Sequence, residues 1–210
     1  MRFITRLHQH YIVSHEKDLE HIDIKKILTF PDSRQATNFS CGAASVQAVL
    51  YYYGIEVRED KLIKIFDAKP THIVHSGIDP DTLKQKMEQL WGLKVQMGEM
   101  TIEDVKDFID KDIPVILAIQ AWRGEDNASD ETDYTGEYKD GHYVVAIGYT
   151  DHSMIFDDPS IPSNRAYLPF DELDTRWHDN DYHGNVYEHL GLAVHGKQPT
   201  FNPKTIKKIL

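Results

Sequence analysis

The sequence predicts an α+β domain, with a helical N-terminal half packed on an antiparallel β-sheet formed by the C-terminal half. Between residues 39 and 110, apolar side chains recur at spacings of three and four, the period of a helix with one buried face. From Pro114 onward the pattern changes to short β-favouring apolar runs, PVILAIQAW, HYVVAIGY and MIFD, separated by polar turns.

Each element has its own local signals. From Phe39 to Tyr53, Cys41, Ala44, Ala48 and Tyr52 share a face, Ser40 is placed to cap the N-terminus and Gly54 to stop the helix. REDKLIKIF is a shorter helical stretch. Asp79-Pro80 opens the next helix, with Asp79 as cap and Pro80 at the first helical position, Leu83, Met87 and Leu90 as its apolar positions, and Gly92 at its end. Thr101 caps a further helix running to Asp110, with Asp104 three residues on and Val105, Phe108 and Ile109 as the stripe. PVILAIQAW reads as a buried strand, HYVVAIGY as a second, TDHS as a turn and MIFD as a third. LPFDELDTRW reads as a short helix and VYEHLGLAV as a fourth strand. Residues 1–34 are an N-terminal extension of the same domain, in which HEKDLEHIDIKK fits either a helix or an extended arm. Residues 35–196 form the main domain and residues 197–210 a tail.

The chain has 210 residues, with 23 Lys and Arg against 34 Asp and Glu, for a formal net charge of −11. That balance argues against nucleic acid or an anionic membrane surface as a partner. It is compatible with a basic peptide, and more simply with a solubilising surface. One cysteine excludes an intramolecular disulfide framework and fits a reducing compartment. The start, MRFITRLHQHYIVSHEKDLEHID, lacks the apolar run of a signal peptide. No segment approaches the roughly 18 apolar residues of a membrane span. The expectation is a soluble, cytoplasmic protein of unknown oligomeric state.

Cysteine chemistry makes four demands. The thiol must be held as thiolate, which a helix N-terminus and a neighbouring His favour. The His must accept and return a proton. A third group must orient the His and stabilise its cation. Hydrogen-bond donors must receive the oxyanion. Cys41 falls at the first turn of a helix, and Gly42 after it would let a substrate approach the backbone. His142 follows Asp140-Gly141 and opens a buried strand, and Asp158 follows the next strand just before Pro159. Adjacent antiparallel strands would bring His142 and Asp158 together. Gln35, six residues before the cysteine, can present an amide to an oxyanion beside the Cys41 N–H.

In that order, these segments resemble the papain-like peptidases that trim double-glycine bacteriocin leaders, and their stand-alone relatives. QATNFSCGAASVQAVLYYYG is similar to the family's active-site segment, with Gln35, Cys41 and Gly42 at the matching positions. GHYVVAIGY is similar to its histidine strand, and IFDDPS to the segment supplying the third residue. The resemblance implies a papain-like fold and a cysteine peptidase needing no cofactor, with Cys41 as nucleophile, His142 as proton shuttle, Asp158 as orienting carboxylate and Gln35 as oxyanion donor. The match spans residues 35–159, and RWHDNDYHGNVYEHLGLAV is also similar to stand-alone members. Many relatives are fused to a transporter, but this sequence has neither a membrane span nor a GxxxxGK[ST] loop, so a leader-peptide substrate is not carried over. Ser40 stands where many relatives have Asp.

Other residues compete for roles. Asp157 neighbours Asp158, and only one of two successive strand residues can face His142. Asp179-Asn180-Asp181-Tyr182-His183-Gly184 begins like a calcium loop, but His and Leu190 stand where ligands are wanted, and a polar turn is the plainer reading. The other histidines lack zinc-site spacing. The acidic stretch from Arg123 to Asp140 is either a lid favouring basic peptides or a solvated loop. Trp122 and Trp177 belong to the cleft or to the core. The function expected is peptide-bond cleavage on a peptide or protein substrate. An acyltransferase or amidase acting on a small amide would use the same groups, and a binding module would hold a peptide without cutting it.

Overall fold

A computed structural model describes residues 23–68, 77–121, 134–161, 165–180, 184–206 and 208. Along them run β1 (Ile24–Ile27), α1 (Cys41–Tyr52), α2 (Glu59–Ile65), α3 (Pro80–Trp91), β2 (Lys94–Glu99), α4 (Ile102–Asp110) and β3 (Val115–Gln120). They continue with β4 (Gly141–Thr150), β5 (Ser153–Asp157), β6 (Ala166–Pro169), α5 (Phe170–Arg176), β7 (His178–Asn180), β8 (Val186–Glu188) and β9 (Leu190–His195). The predicted α+β arrangement is present: helices dominate the first half and an antiparallel sheet the second.

Strand β4 is the spine of the sheet, whose order is β2-β9-β3-β4-β5-β6. Its first half pairs with β3, from Gly141 opposite Gln120 to Ala146 opposite Val115. Gly148, Tyr149 and Thr150 pair with β1, and β5 lies along the other edge. All six residues of β3 are buried. A strand without alternation has both faces covered. Helices α1 and α4 pack against β4, and α5 against β3, β5 and β6.

The helix signals act locally as expected for α3 and α4. The Asp79 carboxylate accepts from Thr82 N at 3.0 Å, Pro80 opens α3, and Gly92 ends it in the left-handed region. Thr101 and Asp104 form a complete capping box on α4. Leu83 and Met87 are fully buried one turn apart, so Leu83→Ala should cost about 2–5 kcal/mol.

Several expectations are corrected. Ser40 occupies the N-cap position of α1 but makes no capping bond, because its hydroxyl is engaged with Thr37. Leu90 is 52% exposed, since α3 turns only its Leu83 and Met87 side inward. The expected fourth strand is two strands, β8 and β9, broken at His189, whose φ of +49° leaves the extended region. Strand β2 is half polar, and the sequence pattern did not announce it. The tail crosses the far end of α1, where the N–H groups of Thr200 and Phe201 donate to the Tyr52 carbonyl. Of the N-terminal extension, residues 23–34 are described and β1 joins the sheet; the rest lies outside the described residues.

Candidate active site

Helix α1 is rich in alanine, which favours helix, and ten of its twelve residues are buried. Cys41 is its first residue, so the thiol sits at the positive end of the helix dipole. No carboxylate in the first turn offsets that field. Ser45, one turn on, donates to the Tyr143 carbonyl and fixes the helix to β4 next to His142. The Cys41 residue is 8% exposed and His142 2% exposed.

His142 is the second residue of β4, opposite Ile119. Its Nε2 lies 2.8 Å from Asp158 Oδ1, and its ring is coupled electrostatically to the Cys41 thiol. With Nε2 given to the carboxylate, Nδ1 is the nitrogen that serves the thiol. Asp158 follows β5, and the same Oδ1 accepts from Ser160 N at 2.8 Å and Ser160 Oγ at 2.7 Å. This local turn fixes the carboxylate before it meets the imidazole.

The electrostatics follow from this geometry. Burial pushes the Cys41 thiol up, but the neighbouring His142 outweighs it and holds the thiol below its ordinary range. Burial pulls His142 down, yet Asp158 and Cys41 together push it up to about 9. Burial also raises Asp158, and His142 and Ser160 reverse this, leaving its carboxyl below the usual range. The arrangement shifts both groups toward a thiolate–imidazolium pair.

Gln35 lies in the loop entering α1. Its Nε2 donates to the Thr37 carbonyl at 2.7 Å, which fixes the amide orientation and leaves the second N–H proton uncommitted by that bond. Its Oε1 is buried without a hydrogen-bond partner among the described residues. The Gln35 N–H donates to the Pro159 carbonyl at 2.9 Å, and the Ala36 N–H donates to the Glu59 carboxylate. Asp157 faces away from His142. It is fully buried, accepts from Ser33 N and Oγ, and meets Arg165 Nη1 at 2.6 Å.

The structure therefore brings Cys41, His142 and Asp158 into one line, with Gln35 in the adjoining loop. The reading of Gly42 as room for a substrate is corrected. A Cβ there would lie 3.0 Å from Tyr143 Cδ2 and 3.3 Å from Ile78 Cδ1, so the glycine lets α1 pack on β4. A Cβ on Gly141 would collide with the Asp179 carboxylate. Trp177 is a core residue, 1% exposed, donating Nε1–H to the Leu190 carbonyl. Trp122, residues 123–133 of the acidic stretch and residues 181–183 of the Asp/His/Gly segment lie outside the described residues. No group of three or more His, Cys, Asp or Glu able to hold a metal occurs among the described residues. No described helix is long and apolar enough to cross a membrane.

Sequence reasoning missed the supporting groups. Ser160 had a signal, since Asp-x-Ser is an Asx-turn pattern. Glu59 and Arg165 had none, because they reach the site from other segments, and Ser33 had none, because its partner Asp157 lies 124 residues on.

Comparison with solved structures places this architecture. A C39-like peptidase from Bacillus anthracis matches with a TM-score of 0.58 at 18% identity, covering 83% of this chain and 100% of that one. A double-glycine-motif protease from an AMS/PCAT transporter, solved with its leader peptide, matches at 0.55 and 18% identity, covering 84% and 96%. The peptidase domain of Streptococcus ComA matches at 0.54 and 15% identity, covering 82% and 98%. At such identities the likeness establishes the papain-like peptidase fold. No curated protein sequence matches the chain. The family model for peptidase C39-like proteins matches residues 27–185, and on that match the chain belongs to the peptidase C39-like family and is a peptidase.

Proposed function

We propose that the chain is a cysteine peptidase that cleaves a peptide bond through Cys41, His142, Asp158 and Gln35. The Cys41 thiolate attacks the scissile carbonyl carbon. The Gln35 amide and the Cys41 N–H receive the oxyanion of the tetrahedral intermediate. The His142 imidazolium gives its proton to the leaving amine, and the acyl chain remains on Sγ. His142, now neutral, takes a proton from water, which attacks the thioester and releases the acid. Asp158 holds the imidazole in one orientation throughout and stabilises its cation.

One observation carries this reading: the 2.8 Å contact of His142 Nε2 with Asp158, in a ring coupled electrostatically to a thiol at a helix N-terminus. The substrate class is a peptide, in keeping with the leader peptide held by the transporter protease of similar fold. The decisive experiment is trapping with the peptide aldehyde acetyl-Leu-Leu-argininal, read by mass and by competition with iodoacetamide. A reversible adduct on Cys41, lost in His142→Ala, is the expected result. An inert Cys41, or labelling at an ordinary thiol rate whatever stands at 142, would remove the reading.

A further inference from the structure

We infer that Asp157 and Arg165 form a positioning pair that holds the Gln35 loop against the Asp158 strand end. The inference rests on the reading of Gln35 as oxyanion donor given above. Residues 28–35 contain no regular secondary structure, so side chains and isolated backbone bonds set their path. Arg165 spans this segment. Nη1 donates to Pro31 O at 3.2 Å and to Asp157 Oδ1 at 2.6 Å, and Nη2 donates to Phe30 O at 2.5 Å. Asp157 grips the next residues, through Ser33 Oγ at 2.6 Å and Ser33 N at 3.3 Å. Two residues later the Gln35 N–H meets the Pro159 carbonyl.

One end of β5 therefore serves both sides of the site. Asp158 turns to His142, and Asp157 turns the other way and holds the chain that delivers Gln35. A buried ion pair seldom adds stability over apolar packing. What the guanidinium fork adds is direction, because its donors meet the Phe30, Pro31 and Asp157 acceptors at once. Displacement of a catalytic group by about 1 Å can cost on the order of 100-fold in rate.

The charged groups facing Asp157 are Arg165 and, farther off, Asp32, whose carboxylate lies 3.7 Å from Arg165 Nη1. Burial pushes the Asp157 carboxyl up to about 6, against the pull of Ser33 and Arg165. Protonation would weaken its hold on Arg165, and Asp157→Asn imitates that state.

The test compares Asp157→Asn and Ser33→Ala with wild type in the full chain. The readouts are affinity for acetyl-Leu-Leu-argininal, the acylation burst with p-nitrophenyl acetate, and the rate of Cys41 alkylation by iodoacetamide. Hemithioacetal and acylation both create an oxyanion, whereas alkylation creates none. The expected result is a loss of about tenfold or more in aldehyde affinity and burst rate, with alkylation unchanged. The wild-type burst, normalised to alkylation, should also fall as pH drops through about 6, while that of Asp157→Asn stays level. Unchanged aldehyde affinity and burst in the variants, or losses matched by alkylation, would overturn the inference. If Asp157→Asn does not fold, Ser33→Ala keeps the carboxylate and still reads the grip. A wild-type chain inert to the aldehyde would instead remove the peptidase reading, and this inference with it.

Discussion

His142 Nε2 and Asp158 Oδ1 are 2.8 Å apart, and Ser160 N and Oγ converge on that same oxygen. The imidazole thus meets a carboxylate already fixed by its own turn. Asp158→Asn should lower acylation by roughly 10- to 100-fold, or about 1.4–2.7 kcal/mol of barrier, because orientation and cation stabilisation weaken while thiol and imidazole remain. Cys41→Ser or His142→Ala should cost far more. Steady-state kinetics on the three variants give the ranking, and an Asp158→Asn effect as large as that of His142→Ala would contradict it.

The pH dependence has a definite sign. Thiolate exists above the lowered pKa of Cys41, and imidazolium exists below that of His142, near 9. The ion pair occupies the window between them. Cys41 alkylation should therefore rise on the acid side of an ordinary thiol, with a second inflection near 9 as His142 loses its proton. In His142→Ala the profile should move up to a single thiol titration. Rates with iodoacetamide across pH are the measurement.

Gln35→Ala removes an oxyanion donor without touching the thiol or the imidazole. Acylation should fall on the order of 100-fold, about 2.7 kcal/mol, with alkylation of Cys41 unchanged. Equal losses in both would mean that Gln35 supports the loop rather than the intermediate.

Gly148 tests the docking of β1. A Cβ there would come within 2.6 Å of the Lys26 carbonyl oxygen and 3.0 Å of Ile27 Cα. These are backbone atoms and cannot swing aside, so Gly148→Ala should destabilise the fold by about 1–3 kcal/mol. Hydrogen exchange should rise in Ile24–Ile27 first, with the thermal midpoint falling. A variant as stable as wild type would show that β1 contributes little.

Reading the sequence succeeded where the physics is local. Asp79-Pro80, the Thr101–Asp104 box and the fully buried run of β3 each carry their signal within a few residues. The ordered segments around Cys41, His142 and Asp158 were legible for a related reason, because each lies at the end of a regular element. What was not legible depends on distant segments. Ser40 has the right side chain for a cap, but Thr37 engages it. Gly42 stands next to the thiol, yet Tyr143, about a hundred residues away, explains its size. Arg165 gave no hint of reaching Phe30 and Pro31.

The consecutive carboxylates at the end of β5 raise a question of register. A one-residue slip of this strand in one direction would offer Asp157 to His142 but bring Phe156 into the place beside Arg165. A slip in the other direction would offer Asp158 to Arg165 and bring Pro159 to the histidine, so only the native alignment gives each cation a carboxylate. The irregularity between Ala146 and Gly148, opposite Phe156 and Ile155, marks the same alignment on the facing strand. The alignment of the acid with the histidine is thus enforced from both faces of the strand end at once, by the arginine behind as well as the imidazole in front.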